Sequence, residues 1–438
     1  MHPEVHMLWP SVSADTGLAR ALVDGGLVPT PVTDWAALID AARAAQPAAV
    51  IVDAGLLPGE PVAALRALGA AAPGALIAVG GDTAAVADLR GAELYPLDED
   101  ERTAAAHVVA VAGRLHRARP VVDDPVSRRT LQLAHRVAGS DATVMITGES
   151  GVGKECYARF VHAASARGEG PFLAVNCAAI PDQMLEAILF GFEKGAYTGA
   201  TEARAGKFEQ AQGGTLLLDE ITEMDIGLQA KILRVLQEKE VERLGGRRGI
   251  ALDVRVLATS NRDLREAVTD GYVREDLYYR LNVLPLHVPA LRERPGDIAP
   301  LARALLARHG GDSMRLGDCA ERRLAEHDWP GNVRELENVI QRAIVLGLGT
   351  SIEASDLGFE DLQGIPARGE TTWSSDAAPG DSGAPLGGRL RDTEDRLILD
   401  ALRVERGCRK HAAARLGISP RTLRYKLARM RETGIAIP

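Results

Sequence analysis

Cysteine is scarce in this chain of 438 residues: there are four, Cys156, Cys177, Cys319 and Cys408. None stands in C-x-x-C spacing and no His/Cys cluster accompanies them. That argues against zinc or a disulfide framework and for free thiols in a reducing compartment. Aromatics make up only 4 % of residues, so Leu, Val, Ile and Ala must fill the cores. No apolar run approaches the roughly 20 residues that span a bilayer. No basic region followed by an apolar core and a cleavage site opens the sequence. A cytoplasmic protein with no membrane partner is the expectation. What is present is 46 % apolar residues, ordinary for globular protein, and a length that suits roughly three domains at about 150 residues each.

Net charge is −9, the wrong sign for a nucleic-acid binder, but it is unevenly spread. Arg389 to Pro438 carries 13 Lys and Arg against 6 Asp and Glu, a local +7, leaving −16 on the rest. A small basic module on an acidic body is the asymmetry expected when one part alone meets phosphate.

Four segments emerge. Residues 1–118 alternate strand-like runs (VHMLW, AAVIVD, ALIAVG, AELYPL) with Ala-rich helical stretches, which implies a small parallel sheet. Residues 122–361 form a longer α/β unit that turns helical from about 290. Residues 362–388 read as a linker, since 20 of the 25 residues from Gly364 to Gly388 are Gly, Pro, Ala, Ser, Thr or Asp. Residues 389–438 are helical and basic.

The chemistry begins where strand-like ATVMIT runs into GESGVGKE. Gly148, Gly153 and Lys154 meet the pattern GxxxxGK, and Glu149, Ser150, Gly151, Val152 and Glu155 complete the loop. Glycines let backbone N–H groups turn around phosphate oxygens, the following helix adds positive potential, and Lys154 can reach the β/γ-phosphates of ATP. Glu155 stands where Ser or Thr usually binds Mg²⁺; on the loop alone, a Gly-rich turn is the competing reading. GGTLLLDE downstream is an apolar strand ending in two acids. Asp219 suits holding Mg²⁺ through water, and Glu220 suits polarising the attacking water. Strand-end acids can also cap the next helix, but their position downstream of a phosphate loop favours catalysis. Arg274 and Arg280 in VREDLYYRLNV are candidates for neutralising the γ-phosphate, or equally surface salt-bridge partners.

LFGFEKGAYTGA, Leu189 to Ala200, joins these pieces. With GESGVGKE and GGTLLLDE it resembles the central AAA+ domain of the sigma-54-dependent, NtrC-like activators. Gly195, Ala196, Tyr197, Thr198, Gly199 and Ala200 are similar to that family's sigma-54-contacting loop, with Tyr197 in place of Phe. The ring is kept, and the hydroxyl must be solvated or paired. A flexible surface loop with one exposed aromatic is the bland alternative. The resemblance implies further roles. Asn176 couples nucleotide state through Glu220 to that loop. Ser260 and Asn261 form sensor I, with Ser260 where Thr is common. Arg274 and Arg280 become paired arginine fingers, with Val273 replacing a usual Phe, and Arg334 in WPGNVRELEN becomes the sensor II arginine of the lid. It also implies a homo-oligomer, a hexameric ring with ATP at subunit interfaces, acting on sigma-54 RNA polymerase.

HAAARLGISPRTLRYKLARM has the shape of a helix-turn-helix. Gly417 ends the first helix, Ser419 caps the second and Pro420 takes its first position. Leu423, Leu427 and Met430 form the buried stripe. Arg421, Thr422, Arg424, Tyr425 and Lys426 are left to contact double-stranded DNA. A dimerising helical hairpin would not need the +7 charge. This segment resembles the Fis-type domain that closes the same family, which implies DNA-binding dimers on inverted repeats upstream of promoters.

Residues 1–118 look like a response-regulator receiver that has lost its chemistry. Asp53 ends AAVIVD where receivers place the phosphorylated Asp. But VHMLWPSV supplies no Mg²⁺-binding acids, Gly80 and Gly81 stand where a hydroxyl belongs, and LYPLDE has no Lys. Without those charges, phosphate transfer to Asp53 loses its stabilisation. Asp53 is then a structural remnant, and control falls to a protein partner or to expression level. This segment, ATSNRDL and the C-terminal ISPRTLRYKLARMRETGIAIP together resemble FlbD-type flagellar regulators.

The expected fold class is therefore α/β: a degenerate receiver-like (flavodoxin-like) domain, an AAA+ P-loop ATPase with a helical lid, and a Fis-type helix-turn-helix. The expected function is ATP-driven activation of sigma-54 polymerase, including at flagellar promoters. Two rivals stand beside it: a DNA-binding repressor with a vestigial ATPase, and a generic P-loop enzyme such as a kinase, which would lack DNA affinity.

Overall fold

The structure, a computed structural model, describes residues 4–8, 17–80, 92–95, 101–197, 201–309, 314–347 and 351–359, with 92–95 as backbone. These belong to the first of two units, Met1–Gln363 and Gly364–Pro438. Thr198, Gly199 and Ala200 of the expected contact loop lie outside the described residues. So do Arg421, Thr422, Arg424, Tyr425 and Lys426 of the expected DNA-binding helix.

The N-terminal part alternates strands and helices: β1 (Glu4–Leu8), α1 (Gly17–Asp24), β2 (Val28–Pro31), α2 (Trp35–Ala45), β3 (Ala49–Asp53), α3 (Pro61–Ala71), β4 (Leu76–Gly80), β5 (Ala92–Tyr95) and α4 (Glu101–Ala118). The sheet is parallel in the order β2-β1-β3-β4-β5. That is the flavodoxin-like doubly wound order. Every residue of β3 is buried, as a strand covered on both faces requires. The sequence's strand-like runs account for four of these strands. The fifth, β2, reads VPTP and was not among them; it survives two prolines because it sits at the sheet edge.

The ATPase part opens with α5 (Pro125–Ala138), which is capped by Asp124 through the Val126 N–H and has Pro125 at its first position. It continues as β6 (Val144–Thr147), α6 (Lys154–Ala163), β7 (Phe172–Asn176), α7 (Asp182–Phe190), β8 (Gly191–Phe192), β9 (Arg204–Ala205), α8 (Lys207–Gln210), β10 (Thr215–Asp219), α9 (Ile226–Glu238), β11 (Glu240–Glu242), β12 (Gly249–Ala251), β13 (Arg255–Ser260), α10 (Leu264–Thr269), α11 (Glu275–Leu281) and β14 (Leu284–His287). The main sheet is parallel, ordered β14-β6-β13-β10-β7. Leu216, Leu217 and Leu218 of β10 are fully buried, each side chain contributing about 2 kcal/mol. β13 begins with a buried charge. Arg255 donates to Val137 O at 2.8 Å and Ala138 O at 3.0 Å, satisfying carbonyls at the end of α5. Burial pulls its pKa down to about 10.

The lid consists of α12 (Ile298–Arg308), α13 (Asp318–Ala325) and α14 (Asn332–Leu346). They close around Trp329, which is fully buried and donates its indole N–H to Leu324 O at 2.9 Å. One apolar cluster runs from the N-terminal part into the ATPase part, joining Met7, Leu22, Val108 and Leu115 to Leu131 and Phe160. Polar bonds fasten the same seam. Arg114 Nε donates to Ala163 O at 3.0 Å, Gln132 Nε2 to Ala70 O at 3.0 Å, and Arg119 to Gln46 Oε1 at 2.6 Å.

Candidate nucleotide-binding site

The strand order decides the site. β13 lies between β6, which feeds the phosphate loop, and β10, which ends in the two acids. The loop after β6 and the end of β10 meet at one cavity of about 360 Å³, lined by the loop from Ser150 to Glu155, by Asp219 and Glu220, and by Arg334 and Glu337 of the lid. Arg119, Pro120, Val121, Leu301, Ala304 and Leu305 line it too. The cavity thus has a charged end suited to phosphates and an apolar side suited to a base.

The loop adopts backbone that only glycine accepts easily. Gly151 has φ +79, and a Cβ there would lie 2.4 Å from Gly331 O; Gly148 has φ +150, and a Cβ there would meet Val288 O at 2.5 Å. Lys154 opens α6, is buried, and folds back to donate to Gly148 O at 2.8 Å and Glu149 O at 3.0 Å. Burial lowers its pKa, against the pull of Asp219 and Glu220. An arriving phosphate would offer the ammonium a better acceptor than two carbonyls. Glu155 pairs with Arg159 one turn along α6, at 2.7 Å.

Asp219 is held from two sides, by Thr259 Oγ1 at 2.6 Å and Asn176 Nδ2 at 3.3 Å. Thr259 Oγ1 also accepts from the Glu220 N–H at 2.9 Å. Glu220 sits at φ 57, a left-handed conformation that costs a non-glycine residue roughly 1 kcal/mol or more and tends to occur at functional sites. Two details differ from the sequence reading. The resemblance couples Asn176 to Glu220, whereas the hydrogen bond here runs to Asp219. It also gives sensor I to Ser260 and Asn261. Ser260 Oγ instead bonds Arg262 O at 2.9 Å, Asn261 is not among the cavity-lining residues, and the hydroxyl that reaches the acid is Thr259. Residues alternate faces along β13, so a one-residue step decides which hydroxyl turns toward β10.

The lid grips the loop through residues the sequence reading passed over. Arg292 makes a two-pronged pair with the Glu149 carboxylate. Asn332 Nδ2 bonds Glu149 Oε2 and Ser150 O, both at 3.1 Å, and Arg294 Nη2 bonds Val152 O at 2.7 Å. Val333 N donates to Gly151 O at 3.0 Å. Arg334 leans on Ser150 Oγ at 3.4 Å. The Arg292 guanidinium draws the Glu149 carboxyl down to about 2. Beneath this grip, buried Asp297 accepts from the N–H groups of Asp123 and Asp124, at 2.6 and 2.7 Å, and from Ser127 Oγ.

Arg274 and Arg280 do not line this cavity. Arg274 pairs with Asp276 at 2.7 Å. Arg280 Nη2 bonds Leu236 O at 2.8 Å and lines a separate cavity of about 340 Å³ at the other ends of the strands, with Lys239 and Arg255. Neither reaches this chain's own phosphate loop, so a role at γ-phosphate requires a second copy.

Gly195, Ala196 and Tyr197 lead away from β8. Tyr197 is half exposed and stands edge-on to Phe192, with ring centroids 5.0 Å apart. The stem is tied to the β11–β12 hairpin: Glu193 N donates to Leu244 O at 2.9 Å, and Arg243 bridges Glu193 and Glu209. Asp53 is buried at the end of β3, where its carboxylate accepts from the Gly55 N–H at 2.7 Å.

Comparisons with known proteins agree with this geometry. Residues 121–287 match the family described as the sigma-54 interaction domain, 292–373 the AAA+ ATPase lid domain, and 389–430 the bacterial regulatory proteins of the Fis family. The chain is 54 % identical to the response regulator protein FleR of Pseudomonas aeruginosa over 337 residues, covering 73 % of this chain and 71 % of that one. It is 48 % identical to the transcriptional regulatory protein FlbD of Caulobacter vibrioides over 358 residues, covering 79 % and 77 %. The crystal structure of NtrX from Brucella abortus in complex with ATP superposes with a TM-score of 0.52 at 28 % identity, covering 98 % of this chain and all of that one.

Proposed function

This chain belongs to the sigma-54-dependent transcriptional activators, and we propose that it binds DNA upstream of its promoters and uses ATP hydrolysis to open sigma-54 polymerase complexes. It is an AAA+ ATPase that binds ATP. The observation that carries the mechanism is the convergence of Lys154, Asp219, Glu220 and Arg334 on one cavity.

The residues divide the work. Backbone N–H groups of Gly151 to Lys154 cradle the phosphates and Lys154 neutralises the β/γ oxygens. Glu220 polarises the attacking water. Asp219, oriented by Thr259 on one carboxylate oxygen and by Asn176 on the other, would hold Mg²⁺ through water on the remaining lone pairs. No cluster of three or more His, Cys, Asp or Glu able to hold a metal occurs among the described residues. A magnesium ion held by Asp219 would supply charge neutralisation at the β/γ oxygens. Arg274 and Arg280 act on the phosphate of a neighbouring copy, which makes the active form a homo-oligomer, a hexameric ring. Tyr197 is the contact to sigma-54. Arg421, Thr422, Arg424, Tyr425 and Lys426 read DNA as a dimer, with flagellar promoters as the proposed targets. The receiver-like domain takes its signal from a protein partner. No helix among the described residues is long and apolar enough to cross a membrane.

The test is an open-complex assay with sigma-54 polymerase, upstream DNA and either ATP or a non-hydrolysable analogue. Open complexes with ATP alone support the activator. DNA binding without open complexes would instead favour a repressor with a vestigial ATPase.

A further inference from the structure

Glu149 belongs to the phosphate loop by sequence, but its side chain does not serve phosphate. Its carboxylate is taken by Arg292, ahead of the first lid helix, and by Asn332, the first residue of α14. Its backbone carbonyl is taken by Lys154 Nζ at 3.0 Å. One residue therefore touches the phosphate-sensing lysine at one end and the lid at the other.

Asn332 is built for this junction. It is fully buried, holds φ 53, accepts from the Leu291 N–H at 2.8 Å and donates to both Glu149 and Ser150. Two residues further along α14, Arg334 reaches Ser150 Oγ and lines the nucleotide cavity. Wherever Asn332 is pinned, Arg334 follows, because both ride the first turn of one helix. When nucleotide phosphate draws Lys154 from the Gly148 and Glu149 carbonyls, the loop loses two hydrogen bonds beside the pinned side chain.

We propose that Glu149, clamped by Arg292 and Asn332, is a positioning residue that couples occupancy of the phosphate loop to the lid and so sets where Arg334 stands. None of the three needs to touch the nucleotide. The clamp rests on the ATPase reading above and adds a residue-level route from loop to lid.

The experiment uses the full chain, with MgATP turnover and MgADP binding measured side by side. Glu149→Ala and Arg292→Glu are each expected to raise KM for ATP about tenfold, the usual size of coupling between two sites, with a smaller fall in kcat. The charge-swapped double variant, Glu149→Arg with Arg292→Glu, is expected to recover at least half of that loss on a logarithmic scale. A variant that merely unfolds the loop would not be rescued by its partner. Single variants with wild-type KM, or a double variant no better than either single, would overturn the clamp while wild-type turnover leaves the ATPase reading standing. Absence of turnover in the wild type would overturn both.

Discussion

Two strands of this chain, β3 and β10, run through buried residues in parallel sheets and finish on an aspartate. At the end of β10, Asp219 has Thr259 and Asn176 as hydrogen-bond donors, Glu220 as its neighbour, and Lys154 near enough for the two acids to oppose its loss of charge. At the end of β3, Asp53 takes a hydrogen bond from Gly55 N, two residues along its own chain, and the strand position across from it is Gly80. A doubly wound sheet delivers acids to the ends of its strands in both places. What separates them is what neighbouring strands bring: a hydroxyl from β13 and an ammonium from α6 in one case, a glycine in the other. The fold supplies the position, and the surrounding charges supply the chemistry.

That comparison can be broken at either end. The largest expected effect is at β10. Lys154→Ala or Glu220→Gln should lower phosphate release about 10³-fold, the scale of removing one electrostatic stabiliser from a preorganised site. Next comes the far end of the same strand. Buried His162 on α6 shares a 2.9 Å hydrogen bond with Thr215 Oγ1, and burial lowers its pKa to about 4 from 6.5. The unfolded chain binds that proton first. Stability should therefore fall as pH drops from 6.5 towards 4 and level off below, by up to about 3 kcal/mol in all. Denaturant titrations across that range should lose this slope in His162→Gln. A smaller effect is expected from Arg255→Met, which strands the Val137 and Ala138 carbonyls and should cost about 2 kcal/mol by thermal unfolding. Smallest of all, Asp53→Ala should change transcription by less than about twofold, since no stabilising charges are there to lose. A tenfold drop would make β3 a working site after all.

Much of this was legible in advance, and the exceptions share a cause. GESGVGKE and GGTLLLDE are local patterns, so their strands, loop and acids could be read along the chain. The clamp could not be, because Glu149 meets Arg292 and Asn332 across 143 and 183 residues with no periodicity to mark the meeting. The bond from Thr259 to Asp219 could not be read either, since ATSN gives no sign of which hydroxyl meets the acid. Nothing in DVRVLA marks Arg255 as buried, because its partners are the carbonyls of Val137 and Ala138 at the end of α5, far back in the chain. VPTP, with two prolines in four residues, carries no strand pattern, and only its place at the sheet edge makes it one.

The most direct test measures phosphate release and open-complex formation together for full-length Tyr197→Ala with sigma-54 polymerase. Turnover near the wild-type rate with open complexes abolished is the expected result, because the nucleotide cavity and the half-exposed ring are separate parts of one machine. Open complexes at the wild-type level would contradict the claim that hydrolysis acts through this loop.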